Sequence, residues 1–340
     1  MIKTIGAFIS GCAGTSLLGE EVEFFQTYRP WGLIVFKRNC ETPEQLKALT
    51  SAFRLAVGRR DAPVFVDQEG GRVQRLGPPS NGWRRYPPAR KYGELFEQNA
   101  LAALRSARNV GRLMAEDLIA AGVTANCLPV LDVPQPGAHE VIGARAYSDK
   151  RDAIMALARA HVGGFVLGGV MPVIKHIPGH GRASADSHLS LPVVEASAAE
   201  LRAVDFPPFA AFADAPMAMT AHVVYRAFDG DNPATLSAKI IKNIIRKEIG
   251  FEGLLMTDDL SMKALAGSFG EKTQRALAAG CDMVLHCNGN LAEMQEVATA
   301  AGQLKGKPLR RARAALKSAR KPQPFDRRLA LKDLEALVSE

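Results

Sequence analysis

The sequence predicts a single (β/α)8 barrel on the basis of three observations. Short apolar runs alternate with longer amphipathic stretches, and eight such runs occur within about 290 residues. The runs are rich in Val, Ile, Leu, Phe and Met without polar alternation, which is typical of strands buried on both faces of a parallel sheet. No Gly-x-Gly-x-x-Gly follows the first run, which disfavours the alternative, an open doubly wound sheet that binds a dinucleotide.

The predicted elements follow from these runs and from helix caps. Strands are predicted at residues 5–10, 32–36, 63–67, 126–132, 171–176, 217–222, 254–258 and 282–286. Helices are predicted at 43–55, with Thr42 as N-cap and Pro43 in the first turn, and at 101–121, 149–163, 237–249 and 271–279. Two long loops, 76–92 and 179–192, follow strand ends, where barrel enzymes build their active sites.

Composition and charge divide the chain into two parts. Hydrophobic residues make up 47% and charged residues 23%, which excludes disorder for most of the chain, and no apolar run reaches the ~20 residues of a membrane helix. Ten Lys or Arg and one Asp fall between residues 305 and 328, so the rest of the chain is nearly neutral although the total is +8. We expect residues 1–300 to form the barrel and 301–340 a basic helical extension, with a helix at 329–338, that packs on the barrel or trails from it.

Cysteine usage and the first residues bear on the compartment. The chain has five cysteines, which is a small and odd number, so we do not expect a disulfide framework. We expect a reducing compartment instead. One lysine, a short apolar stretch and Cys12 faintly resemble a lipoprotein signal, but a first barrel strand accounts for the same residues. The sequence therefore predicts a cytoplasmic protein.

Ionisable residues finish six of the predicted strands: Asp67, Asp132, Lys175 with His176, His222, Asp258 with Asp259, and His286. Charged groups at a barrel rim cost desolvation energy unless they meet partners or ligand. Packing does not explain six such endings, and we expect four of them to face a polar ligand. For Asp132 and His286, an ion pair that closes the top of the barrel is an equal alternative.

The densest group of chemically active residues lies at 175–188, after the fifth strand. It contains three histidines, one lysine, one arginine and one aspartate. A carboxylate two residues from an imidazole, as in Asp186-x-His188, can hold the tautomer of the ring and raise its pKa, which makes a proton shuttle. Gly179 and Gly181 allow close backbone approach or loop motion.

Other chemistries have weaker support. His176-x3-His180 has a plausible metal-ligand spacing, but the first strand lacks the His-x-His that opens typical metal-dependent barrel hydrolases. Cys281-x5-Cys287 is not a zinc spacing. There is no Gly-x-Ser-x-Gly elbow and no P-loop. We therefore expect no metal and no other cofactor.

Four motifs carry a family resemblance. They are Lys-His-Ile-Pro-Gly-His-Gly at 175–181 followed by Asp-Ser-His at 186–188, Val-Asp-Gln-Glu-Gly-Gly-Arg-Val-Gln-Arg at 66–75, Val-Ile-Gly-Ala-Arg-Ala-Tyr at 141–147, and Thr-Asp-Asp-Leu-Ser-Met at 257–262. Together and in this order they resemble glycoside hydrolase family 3, and within it the NagZ-type, single-domain β-N-acetylglucosaminidases of bacterial cell-wall recycling. The resemblance runs from about residue 5 to about residue 289.

The resemblance implies an activity and a set of roles. It implies an exo-acting, retaining enzyme that releases terminal GlcNAc from peptidoglycan fragments such as GlcNAc-1,6-anhydroMurNAc, with or without peptide, and that works as a monomer. Asp258 matches the nucleophile, His188 the general acid/base and Asp186 its partner. The residues that match those holding the terminal sugar are Asp67, Arg75, Arg145, Lys175 and His176. Ile177 and Ala146 depart from the family's common Phe and Ser, and neither has an assigned role.

Three alternatives remain open. A metal-dependent barrel hydrolase would draw its ligands from His176, His180, His222 and Asp258. A phosphorylase on the same scaffold is consistent with a His acid/base, because a neutral base lets anionic phosphate replace water. Nucleic-acid binding by the basic segment is disfavoured because aromatic side chains are not interleaved with its cations. We therefore expect a carbohydrate substrate and neither a nucleic-acid nor a membrane partner.

Overall fold

The computed structural model describes residues 4–78, 82–183, 185–187 and 190–338, and its main sheet is a closed barrel. Each barrel strand pairs in parallel with its neighbours in the chain, and the last pairs with the first. The strands, numbered β1 to β8, are Gly6–Ser10, Pro30–Val35, Val64–Val66, Ala125–Asn126, Met171–Ile177, Met217–Thr220, Leu254–Asp259 and Met283–His286. The predicted (β/α)8 fold is confirmed.

The fourth strand is shorter than the predicted 126–132. Only Ala125 and Asn126 belong to the ladder. Pro129 has no N–H to donate to a neighbouring strand, and beyond it a single bridge joins Val130 to Lys175. Asp132 therefore lies past the end of β4, buried beside β5.

Helices surround the barrel, and their ends follow the predicted caps. Thr42 accepts a hydrogen bond from the backbone N–H of Gln45 at 3.2 Å. Ser237 lies just before the helix predicted at 237–249 and caps it, with its Oγ accepting from the N–H of Ile240. The longer helices among the described residues, numbered α1 to α10, are Gly19–Tyr28, Pro43–Val57, Ala89–Gln98, Ala100–Ala120, Arg151–Leu167, Ile240–Glu248 (π-helical), Phe269–Ala279, Leu291–Ala301, Gly306–Ser318 and Arg327–Val338. Three consecutive short helical segments, Ala198–Glu200, Leu201–Asp205 and Phe206–Ala210, lie between β5 and β6.

The segment after β3 folds back on itself as a small hairpin, in which Gln68–Gly70 pairs with Val73–Gln74. Gly70 has a φ of 99°, and a Cβ atom there would lie 2.1 Å from the carbonyl oxygen of Pro87. Only glycine fits this close approach. The predicted loop at 76–92 is too long, because Pro88 occupies the N-cap position of α3 and the helix begins at Ala89.

The last two helices contact different parts of the barrel. Arg311 on α9 pairs with Glu252 and Asp282, which precede β7 and β8, so α9 lies at the amino-terminal end of the barrel. On α10, the buried Asp333 accepts hydrogen bonds from Arg105 and Asn109 of α4. None of the described helices combines the length and apolarity that a bilayer crossing requires.

Candidate active site

A cavity of about 330 Å³ lies at the carboxyl ends of the barrel strands. Seven of the eight predicted site residues line it: Asp67, Arg75, Arg145, Lys175, His176, Asp186 and Asp258. The eighth, His188, lies outside the described residues. The strands and the loops after them thus bring together side chains that are up to 191 positions apart in the sequence.

Five charged side chains form one ionic cluster: Asp67, Arg75, Arg145 and Lys175, which line the cavity, and Glu69, which contacts Arg145 and Lys175. The Nζ atom of Lys175 lies 2.8 Å from Asp67 Oδ1 and 2.6 Å from Glu69 Oε1. Arg145 donates to Glu69 through Nε and Nη2, each at 2.9 Å. Arg75 Nη2 lies 3.2 Å from Asp67 Oδ2. The side chains of Lys175 and Glu69 are each only 2% exposed, so solvent ions screen this pair very little.

The ionic cluster holds its members in their charged forms. Burial opposes ionisation of Asp67, but Lys175 and Arg75 outweigh it and hold the pKa of this carboxyl well below its usual range. Burial likewise opposes ionisation of Glu69, and Arg145 and Lys175 lower its pKa to about 2. For Lys175, the two carboxylates overcome burial and raise the ammonium pKa above its usual value. All three groups are therefore charged at neutral pH.

Asp132 forms hydrogen bonds with two histidines at the end of β5, His176 and His180. Its Oδ2 lies 2.7 Å from His176 Nδ1, and its Oδ1 accepts the backbone N–H of His176 at 3.2 Å and of His180 at 2.6 Å. His180 Nε2 lies 3.2 Å from Ser187 Oγ. Burial lowers the pKa of His180 to about 4, so its ring is neutral at neutral pH. Through these contacts, the segment that carries Asp186 is attached to β5.

Asp258 and Asp259 end β7 and differ in their hydrogen bonds. Asp258 Oδ1 accepts the backbone N–H of Asp259 at 2.8 Å. Burial opposes its ionisation, but His176 and His222 outweigh it and hold the pKa of this carboxyl below its usual range. Both carboxylate oxygens of Asp259 accept from neighbours: Oδ1 from the N–H groups of Ser261 and Cys287, and Oδ2 from the Ser261 hydroxyl. Asp259 thereby fixes the loops after β7 and β8.

Two strand-end histidines are held by internal partners. His222 was expected to face a ligand, but it is fully buried, with Nδ1 at 2.7 Å from Thr235 Oγ1 and Nε2 at 3.1 Å from the carbonyl oxygen of Asp259. For His286 the sequence allows either a ligand or an ion pair, and the structure shows its Nε2 3.1 Å from Glu293 Oε2. A strand-end position brings a side chain to the rim, but local packing decides whether it reaches the cavity.

Glu69 is one charged residue that the sequence interpretation missed, and Arg72, which lines the cavity, is another. Glu69 lies within the quoted motif at 66–75 but received no role, although it contacts both Arg145 and Lys175. A signal was available, because Asp67 and Glu69 are two positions apart directly after a strand end and so share one side of an extended chain.

Metal ligation has a limited geometric basis here. Within the described ranges, no three His, Cys, Asp or Glu side chains come together as a metal-binding group. Of the two histidines with metal-ligand spacing, His176 and His180, the ring centroids are 5.6 Å apart. Asp132 contacts one ring nitrogen of His176, and Ser187 contacts one ring nitrogen of His180.

A parallel barrel whose carboxyl-terminal face carries a small cavity with ionised carboxylates and cations is the architecture of many glycosidases. The sequence profile described as "Glycosyl hydrolase family 3 N terminal domain" matches residues 16–317, and the chain belongs to this family. It is a glycoside hydrolase of the β-N-acetylhexosaminidase type, as its relatives show.

One curated relative is the beta-hexosaminidase of Alkalilimnicola ehrlichii, 40% identical over 84% of this chain and 81% of that protein. A solved structure of NagZ from Neisseria gonorrhoeae, in complex with N-trifluoroacetyl-D-glucosamine, has a TM-score of 0.89, 33% identity and 98% coverage of both chains. The family 3 beta-N-acetylglucosaminidase of Paenibacillus sp. has a TM-score of 0.82 and 28% identity, covering 98% of this chain and 62% of that one.

Proposed function

We propose that this enzyme is an exo-acting, retaining β-N-acetylglucosaminidase. It removes the non-reducing terminal GlcNAc from peptidoglycan fragments, including GlcNAc-1,6-anhydroMurNAc with or without peptide, and acts in the cytoplasm as a monomer. The observation that carries the proposal is the cavity of about 330 Å³, which lies at the small end of the ~300–1,000 Å³ range of ligand pockets. That size suits one sugar residue, which is what an exo-acting enzyme holds.

The ionic cluster and His176 hold the terminal sugar in this proposal. Asp67 accepts hydrogen bonds from sugar hydroxyls, and Arg75, Arg145, Lys175 and His176 donate to them. Each of these side chains lines the cavity. Because Lys175 and Arg145 are already fixed by carboxylates, little side-chain entropy is lost when the sugar binds.

Asp258 is the nucleophile of the proposed mechanism. Its carboxylate attacks the anomeric carbon, the bond to the leaving oxygen breaks, and His188 gives that oxygen a proton. Water then attacks the glycosyl ester, His188 takes a proton from it, and Asp258 leaves as a carboxylate, so the β-configuration is retained. The low pKa of Asp258 supports this role, because the carboxyl is ionised before attack.

Asp186 and His188 act together as the acid/base unit. Asp186 lines the cavity beside Ser187, whose hydroxyl contacts His180. In the proposed mechanism, the Asp186 carboxylate stabilises the imidazolium form of His188, so that one ring donates a proton in the first step and accepts one in the second.

The decisive experiment is to trap the covalent intermediate. The wild-type enzyme is treated with a 5-fluoro-GlcNAc donor bearing a good leaving group, and the labelled peptide is sequenced. We expect the label on Asp258 and nearly complete loss of turnover in Asp258→Asn. Asp259→Asn is the matched control, because it removes the neighbouring carboxylate at the same strand end. A label on Asp259 would contradict the assignment.

A measurement of the released sugar separates hydrolysis from the two alternatives, phosphorolysis and metal-dependent hydrolysis. For a hydrolase, free GlcNAc is released at the same rate with and without inorganic phosphate, and activity survives EDTA. Formation of GlcNAc-1-phosphate would identify a phosphorylase, and loss of activity on chelation that added metal restores would identify a metal-dependent enzyme.

A further inference from the structure

A second cavity, of about 460 Å³, lies beside the active site along the hairpin that follows β3. Arg72 lines both cavities, so the two are adjacent at this residue. The second cavity is walled by the hairpin, by the loop that ends at Pro88, and by the end of α10 at Leu337. We refer to it as the basic groove because its charged lining residues are Lys37, Arg72, Arg85 and Lys91.

The charged residues that line the basic groove are all cations. Among the residues that the structure describes, no aspartate or glutamate lines it. Lys91 is partly neutralised by Glu94, one turn further along α3, at 3.2 Å. Arg72 Nη2 donates to the backbone carbonyl oxygens of Glu140 at 2.7 Å and Val141 at 2.6 Å, contacts that orient its guanidinium without neutralising its charge.

The wall that carries Arg85 is held in place by backbone contacts. The side chain of Gln74 donates to the carbonyl oxygen of Arg84 at 2.6 Å and accepts the N–H of Tyr86 at 2.9 Å. The N–H of Gly71 donates to the carbonyl oxygen of Tyr86 at 2.9 Å. Because both neighbours of Arg85 are bonded to the hairpin, the backbone at this cation is positioned without a ligand.

We propose that the basic groove binds the leaving-group side of the substrate through its carboxylate groups. This proposal rests on the proposed function, because a cavity that holds only the terminal sugar leaves the remainder of the substrate outside it. A peptidoglycan fragment carries carboxylates beyond the scissile bond, on the lactyl ether or on an attached acidic peptide. A neutral aglycone carries none, so the groove makes the enzyme selective for anionic leaving groups.

The test compares four substrates, two neutral and two anionic, that share the same terminal GlcNAc. They are 4-nitrophenyl β-GlcNAc and N,N′-diacetylchitobiose, which are neutral, and GlcNAc-MurNAc, prepared with its lactyl group free or amide-linked to an acidic tripeptide. The variant is the double substitution Lys37→Glu and Arg85→Glu. Both side chains are exposed and outside the active-site cavity, so the fold should tolerate the change. The matched control is Arg310→Glu with Arg313→Glu, which makes the same change in net charge on exposed positions of α9.

We expect the groove variant to lower the ratio of kcat/KM for the anionic substrates to kcat/KM for the neutral ones by about three- to tenfold, mostly through KM. Added salt should lower the wild-type ratio and have less effect on the variant. The control variant should match the wild type. If this ratio falls only for the substrate that carries the peptide, the peptide carboxylates bind in the groove. If it falls equally for the substrate without peptide, the lactyl carboxylate binds there.

The outcomes separate this proposal from the proposed function. If the wild type releases GlcNAc but the ratio is unchanged in the groove variant, or falls equally in the control variant, the groove does not bind the aglycone and the proposal is wrong. If the wild type does not release GlcNAc from any of the substrates, the proposed function itself is wrong.

Discussion

Replacing Glu69 by glutamine should strongly destabilise the fold. Glutamine keeps the shape of the side chain but removes the charge that Lys175 and Arg145 share. The variant loses one contact at 2.6 Å and a bidentate pair at 2.9 Å, and leaves two nearly buried cations with less compensation. Removing one partner of a buried ion pair typically costs ~3–5 kcal/mol, and we expect the free energy of unfolding to fall by about that amount.

Urea denaturation at pH 7, followed by tryptophan fluorescence, measures this loss, because Trp31 and Trp83 are both buried. Glu97→Gln is the matched control: Glu97 pairs with Lys150 on the surface, where a salt bridge contributes only ~0–1 kcal/mol. The double variant of Glu69→Gln with Arg145→Gln should lose less stability than the sum of the single variants, because the charges are coupled. A loss for Glu69→Gln as small as that of the control would refute the reasoning.

The same variant gives a pH dependence with a definite sign. The pKa of Glu69 falls from an ordinary value of 4.5 to about 2 in the folded protein. As the pH falls, the Glu69 carboxylate is therefore protonated in the unfolded chain before it is protonated in the folded protein. Glu69 contributes fully to the free energy of unfolding above its pKa in the unfolded chain, and this contribution is lost as the pH falls to its pKa in the folded protein. The stability difference between wild type and Glu69→Gln should shrink as the pH is lowered toward about 3.

Two further predictions concern the proposed roles in catalysis. His188→Ala and Asp186→Ala should each lower disaccharide turnover by ~10²–10⁴-fold, with a smaller effect on the first step of an aryl glycoside, seen as a burst before a slow steady state. The double variant should be little worse than either single one, and additive losses would show that the two do not act as a unit. Arg75→Ala should weaken binding of a GlcNAc-derived lactone inhibitor by ~1–3 kcal/mol in calorimetry. Normal binding with reduced stability would instead assign Arg75 a purely structural role.

The barrel could be predicted because burial on both faces leaves a strong compositional signal. Helix starts were predictable where a cap is local, as at Thr42, whose bond to Gln45 spans three residues. Predictions failed where a proline changed the element. The β4 ladder ends at Asn126, shortly before Pro129, and Pro88, interpreted as part of a loop, occupies the position before the first turn of α3.

The candidate site was predictable at the level of which residues meet, since parallel strands place their carboxyl ends on one face. Which of these side chains pair with one another could not be predicted. The pair of Glu69 and Arg145 spans 76 positions, and it forms only because two separate loops bring the side chains together. The strand-end rule also gave His222 the same status as His176, although a bond to Thr235 keeps the former out of the cavity.

The charges around the cavity have a consequence for the second half of the proposed reaction. The ionic cluster contains three cations and two carboxylates, a surplus of one positive charge, and Lys175 of this cluster helps to hold the pKa of the Asp258 carboxyl below its usual range. In the proposed reaction Asp258 becomes a neutral ester, which removes one negative charge from the cavity while the cations of the ionic cluster stay charged. For His188 as the proposed acid/base, loss of this negative charge disfavours the imidazolium form, so formation of the ester favours the neutral ring that acts as the base. In the proposed reaction, the charge of Asp258 would thus determine whether His188 is in its acid form or its base form.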